Sequence, residues 1–474
     1  MKVTSLLALI LAVNVAFAQK TKDEVFKSID SKYDQYTNIA HRIWEFAEVG
    51  YQEVKSSELL QETLTKSGFK IEKGVAGIPT AFVATYGSGK PVIAILGEFD
   101  ALPGVSQDAV PEVKSVPGRP AGHACGHHLF GTASSAAAIA VKDWMIANKK
   151  PGTIRMYGTP AEEGGSGKVY MVREGLFSDV DVVLHWHPGS MNSASFGSSL
   201  ANKSGKFRFT GVASHAAASP ERGRSALDAV EAMNNMVNMM REHVPSETRI
   251  HYVITRGGEA PNVVPAFAEV YYYVRHPDRN QVVPIWERIV KAAEGAAMGT
   301  ETKVQYEITG GVYNLLANES LSKVMDNNLR TVGGYTYTEQ EKDFAQKIQK
   351  TFTSAPPKLE STNTIIDFGA NNDVGGSTDV GDVSWVVPTV GLSTATWVPG
   401  TAAHSWQAVA AGGTTIGNKG MMIAAKTLAG TVVDLFDNPA LIADAKKEFD
   451  MKRPADFKYD ALVGNRKPAL DYRK

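Results

Sequence analysis

Residues 122–131 read GHACGHHLFG and set Cys125, the only cysteine among 474 residues, beside His123, His127 and His128. Thiolate and imidazole are ligands of zinc and related ions, which they bind at about 2.0 to 2.3 Å. More donors of this kind recur along the chain. Glu98 and Asp100 follow the apolar run PVIAILG, Glu162 and Glu163 follow GTIRMYGTPA, His185 and His187 end DVDVVLHWH, and His404 comes after VVPTVGLST. Each alone has an ordinary reading, since a lone cysteine is commonly a small buried hydrophobe and paired glutamates commonly open a helix. Several loops carrying such residues together argue for one metal site.

The elements that must gather these residues are legible as an alternation. PVIAILG (91–97), GTIRMYG (152–158) and DVDVVLHW (179–186) read as strands, and TASSAAAIAVKDWMIAN (132–148) reads as a helix between the first two. That order predicts an α/β domain with a mixed, largely parallel sheet. The carboxyl ends of parallel strands form the usual ligand crevice, so donors that follow the strands converge there. From about residue 203 the pattern changes to strand, amphipathic helix, two strands and a second helix, the order of an α+β sandwich. The expected organisation is a catalytic domain over 19–202 and 317–474, interrupted by an inserted module over 203–316. The stretch GGSGK (164–168) lacks the Ser or Thr that completes a phosphate-binding loop, and its glycines are read as a tight turn behind Glu163.

The first 18 residues hold one lysine, an apolar run and the triplet Ala16-Phe17-Ala18. They read as a signal peptide cut before Gln19, which predicts a secreted or periplasmic protein; no later segment reads as a membrane span. In an oxidising compartment a cysteine with no partner in its own chain is free, intermolecular or bound to metal. With a formal net charge of −1, no excess of basic residues suggests nucleic acid or anionic lipid as a partner. A small molecule is the expected partner.

The motifs GEFDALPG, GHACGHHLFG, GTPAEEGGSGK, LHWHPG, GVASHAAASPERGRSALDAV, GGEAPNVVPAFAEV and PGTAAHSWQ resemble, in order and spacing, those of the metal-dependent aminoacylase and carboxypeptidase family. The branch they resemble most is that of amidohydrolases like the p-aminobenzoyl-glutamate hydrolase B subunit. The resemblance runs from about residue 25 to 430. It implies that Cys125, His127, Glu163, His187 and His404 hold two divalent ions, zinc or manganese, and that Glu162 is the general base for an attacking water. It gives Asp100 the role of orienting a ligand, and leaves His123 and His185 structural. The inserted module becomes a lid that commonly dimerises. His215 would then reach the other subunit's site and steady an oxyanion; the alternative is a turn histidine with no role. His128 departs from the pattern, standing where many relatives have Asp.

Two lid residues are expected to read the substrate. A guanidinium fork at Arg275 matches the carboxylate of an amino-acid product, and Asn262 would donate to that carboxylate or to the scissile carbonyl. The alternatives are a surface ion pair and a turn-stabilising Asn. The expected activity is hydrolysis of the amide of N-acyl or N-aroyl amino acids by a homodimer, with a second, different subunit left open. The rivals are a dipeptidase on the same scaffold and a metal-holding protein without catalysis, against which the spare carboxylate of Glu162 speaks.

Overall fold

The computed structural model describes residues 22–194, 197–370 and 375–473, so the expected signal peptide over 1–18 lies outside the described residues. The chain forms β1 (Lys70–Lys73), β2 (Phe82–Ser88), β3 (Val92–Gly97), a small ribbon of β4 (Leu102–Pro103) with β5 (Ala121–Gly122), β6 (Gly152–Gly158) and β7 (Val182–Gly189). Then come β8 (Ala201–Thr210), β9 (Arg249–Arg256), β10 (Phe267–His276), β11 (Lys303–Val312) and, much later, β12 (Thr389–Ala395).

The main sheet has the order β1-β2-β6-β3-β7-β12. Its four strands β6, β3, β7 and β12 run parallel, while β2 pairs antiparallel with β6 and β1 with β2. Every residue of β3 is buried, as a parallel strand covered on both faces requires. The pleat sorts them. Ile93 and Ile95 join the core with Phe130 of helix His127–Ala147 and Leu428 of helix Thr415–Asp437. Val92, Ala94 and Leu96 face the opposite layer, with Val169 and Val383. The two long helices are rich in Ala and Gly, which lets their backbones lie close to each other.

The second sheet, β11-β8-β10-β9, is wholly antiparallel and spans Ala201–Val312. Helices Ala226–Met240 and Arg279–Gly299 cover one face, enclosing Phe207, Phe209, Tyr272 and Trp286 in a core of their own. The alternate residues Lys206, Arg208, Tyr271 and Tyr273 point to the other face, toward the catalytic domain, and line a cavity there. The edge strand β9 is exposed for seven of its eight residues, including Tyr252, Val253 and Ile254.

After helix Pro439–Lys452 the chain crosses back between the two sheets' territories. Arg173 donates to the Gly464 and Arg466 carbonyls and Gln52 to the Leu470 carbonyl, while Arg466 Nη2 lies 2.8 Å from Glu307 on β11. Among the described residues no helix is long and apolar enough to cross a membrane.

Candidate metal centre and active site

The parallel strands deliver their unusual residues to one edge. Glu98 and Asp100 follow β3, Glu162 and Glu163 follow β6, His187 lies near the end of β7, and His404 lies in the loop beyond β12. Cys125 precedes the helix that His127 begins. Between them Gly126 adopts φ +76°, and a Cβ there would stand 2.6 Å from Pro188 Cβ, so both conformation and space demand glycine. Ala161 and His404 also hold left-handed backbone, at φ 59° and 61°. Such strain costs about 1–3 kcal/mol per residue, and His404 is held in it by its N–H donating to the Ala124 carbonyl at 3.0 Å.

Donor atoms of Cys125, His127 and His187 lie within 4.8 Å of one another, as do those of Cys125, Glu163 and His404 and those of Glu98, His127 and Glu162. The Cys125 thiol is shared by the first two groups and His127 by the first and third, which suits two neighbouring ions. Cys125 Sγ is 3.3 Å from His187 Nε2, and His404 Nε2 is 3.2 Å from Glu163 Oε1. His127 Nε2 approaches Glu98 Oε2 at 3.0 Å, yet neither atom has a hydrogen-bond partner, and the same is true of the buried Glu163 Oε1. Buried polar atoms crowded together without hydrogen bonds are costly unless something else binds them. A divalent ion fits that arrangement.

The imidazoles are oriented from behind. His127 Nδ1 donates to Asp100 Oδ1 at 2.8 Å, and His187 Nδ1 donates to the Pro188 carbonyl at 2.7 Å, which leaves each Nε2 facing the cluster. Burial pushes the Cys125 thiol far up in the protein alone, and a bound cation would reverse this by favouring the thiolate. Burial first, then the charges of Glu98, Glu163 and Asp379, raise the Glu162 carboxyl well above its ordinary 4.5. A carboxyl so raised is suited to accept and return a proton near neutrality.

Glu98 has a further attachment. Lys168, fully buried, lies 2.7 Å from Glu98 Oε1 and 2.6 Å from Asp379 Oδ1, and its backbone N–H donates to Asp379 as well. Removing one member of such a buried chain strands the others and costs about 3–5 kcal/mol. Sequence reasoning missed Lys168 and Asp379, which stand 211 positions apart with no motif joining them.

The remaining histidines point elsewhere. His123 Nε2 meets the Ile43 carbonyl and His128 Nε2 the Gly412 carbonyl, each at 3.0 Å, and the two rings pack 4.9 Å apart. Burial lowers the His123 and His185 pKa values to about 3 and the His128 value well below 6.5, keeping all three neutral. None of the three belongs to a group able to hold a metal among the described residues. Asp100 is the carboxylate behind His127.

A cavity of about 580 Å³ opens over the cluster, lined by Glu162, Glu163, His404, Asn202, Arg275 and Arg473 among others. Arg275 therefore lies in the cleft, while His215 and Asn262 do not. Both are on the lid surface, where the Asn262 carbonyl accepts from Ala216 N–H and His215 pairs with Val263 in a short bridge. Within one chain they meet each other but not the metal ligands. Arg473 carried no signal in the sequence, because it lies in a polar, irregular segment.

The profile of Peptidase family M20/M25/M40 matches residues 94–379. The chain is 42% identical over 455 residues to the B subunit of p-aminobenzoyl-glutamate hydrolase from Escherichia coli (strain K12), covering 90% of this chain and 95% of that relative. It is 30% identical over 451 residues to the Xaa-Arg dipeptidase of Mus musculus, covering 91% and 92%. Among solved structures, the aminobenzoyl-glutamate utilization protein from Klebsiella pneumoniae shares the fold, with a TM-score of 0.60 at 18% identity over 87% of this chain and 98% of that one.

Proposed function

Since the chain belongs to peptidase family M20/M25/M40 and is a hydrolase of linear amides within it, we propose that it cleaves the amide between an acyl or aroyl group and a small amino acid, as in p-aminobenzoyl-glutamate. The observation that carries this reading is Glu162, a half-buried carboxyl set among metal-ligand atoms in a cleft that also presents Arg275. Cys125, His127, Glu163, His187 and His404 would hold two divalent ions, zinc by the thiolate and imidazole donors, or manganese by the carboxylate. When bound, such a pair acidifies water and polarises a carbonyl. Glu162 takes the proton of the attacking water and returns it to the leaving nitrogen. Arg275 holds the carboxylate of the amino-acid portion.

We also propose a homodimer built through the lid. The exposed β9 edge and the apolar Val212, Val263 and Met239 on the same lid support it, since an unpaired edge is a template for another strand. In that assembly His215 and Asn262 would reach the partner's cleft. The apolar leader supports export to the periplasm or outside the cell. A second, different subunit stays a reading drawn from the name of the Escherichia coli relative.

The test is a substrate panel run on protein of measured metal content: p-aminobenzoyl-glutamate, N-acetyl amino acids and dipeptides that include Xaa-Arg. Fastest release from the acylated amino acids is expected. Preference for dipeptides would favour the exopeptidase reading, and full metal content without any hydrolysis would favour a metal-holding protein.

A further inference from the structure

Two guanidinium groups line the metal cleft without an ion-pair partner among the described residues. Arg275 and Arg473 both border the 580 Å³ cavity, and the Nε of each is buried without a hydrogen-bond partner. Among the described residues neither makes an ion pair. The contrast with nearby cations is sharp: Arg208 is paired with Glu269 at 2.7 Å and Glu307 at 3.0 Å, and Arg466 with Glu307 at 2.8 Å. Arg473 is fixed without being neutralised. Its Nη2 donates to the Glu163 carbonyl at 2.8 Å, and its guanidinium lies 5.0 Å from the Tyr472 ring centroid.

A guanidinium stays charged at any working pH and carries a fork shaped for a carboxylate. Among the described residues, the carboxylates that line this cleft are otherwise engaged, Glu162 and Glu163 in the metal cluster and Asp379 with Lys168. Arg473 also borders a second cavity of about 480 Å³, so its fork stands at the junction of the two. One carboxylate on the amino-acid portion would occupy Arg275 and leave Arg473 free.

We propose that Arg473 is the residue that reads the second carboxylate when the amino-acid portion is dicarboxylic, as in p-aminobenzoyl-glutamate, with Arg275 holding the first. The inference rests on the amidohydrolase reading above. It assigns a specificity role to the segment that crosses the cleft after helix Pro439–Lys452, outside the motifs that supply the metal ligands.

The experiment compares N-acetyl-L-glutamate with N-acetyl-L-glutamine, which has the same shape but no second charge, and separately the calorimetric binding of free L-glutamate and L-glutamine to metal-loaded protein. The glutamate member of each pair should be preferred by at least about 10-fold, the scale of one charge-assisted bond. Arg473→Gln should bring both ratios to within about 2-fold, Arg473→Lys should keep part of the preference, and Arg275→Gln should lower both members of a pair alike. A wild-type protein without preference, or an Arg473→Gln protein that loses equally on both compounds or loses metal, would overturn the proposal. If neither acetyl compound nor p-aminobenzoyl-glutamate is hydrolysed the amidohydrolase reading fails, while the binding ratios still decide the role of Arg473.

Discussion

Asp100 ties His127 to Glu163: one carboxylate oxygen accepts from His127 Nδ1 at 2.8 Å and the other from the Glu163 backbone N–H at 2.9 Å. The contact with His127 overcomes the burial that would raise the Asp100 carboxyl and holds it below its ordinary 3.8. Two of the five metal-ligating candidates are thus set in place by one side chain that itself stands outside the ligand groups.

Asp100→Asn keeps the shape but weakens both attachments. It should lower metal affinity by about 10- to 100-fold, the usual cost of losing the carboxylate behind a ligating imidazole. Competition against a chelator measures this, and an unchanged affinity would show that the His127 ring is held by packing alone.

Cys125→Ser and His404→Ala should each reduce the metal content of purified protein. They differ in a useful way. Cys125 is buried and common to two of the three donor groups, so its loss should affect both ions, whereas the His404 side chain is 55% exposed and belongs to one group. Elemental analysis should find less metal in Cys125→Ser than in His404→Ala, and two full equivalents in either would remove that residue from the ligand set.

Glu162→Gln should keep its metal and lose at least about 10²-fold in turnover, the scale on which a general base contributes. Near-normal turnover would mean that another group carries the proton.

Most of these candidates were readable because they are unusual donors placed at or after a run that reads as a buried strand, while Cys125 and His127 open a helix. The six apolar residues of β3 announce themselves, and Glu98 and Asp100 stand out directly behind them. By contrast β1, KIEK, is short and mostly exposed, and lacks the alternation that marks a strand. Lys168 was visible only as part of an incomplete phosphate loop. Its meaning depends on Asp379, which reaches it through tertiary folding alone. Arg473 escaped notice for the same reason, since its place is set by the Glu163 carbonyl and by Tyr472 packing against Tyr51, contacts between distant parts of the chain.

His215 yields a prediction about assembly. If it completes the partner's site as an oxyanion donor, His215→Ala alone should lose roughly 10²- to 10³-fold in turnover. Mixing inactive His215→Ala with inactive Glu162→Gln should then partly restore activity, because some mixed dimers carry one intact site. No recovery after subunit exchange has been verified by mass spectrometry would place the whole site within one chain.

The parallel pairing of β7 with β12 sets the order in which the molecule can be assembled. His187 sits opposite Ser393 in that pairing, with the entire four-stranded sheet between them in the chain. Strands so far apart are slow to find each other, because the loop between them must close before any contact rewards it. The entropy of closure grows only slowly, by about 0.6 kcal/mol for each doubling of length, and a loop that has already folded around its own Phe207 and Trp286 core is shorter in effect than its residue count. His404 lies beyond β12, so the docking of that last strand helps to bring it to Glu163. The set of metal ligands is therefore expected to close with the sheet, and an ion offered earlier should meet a partial site.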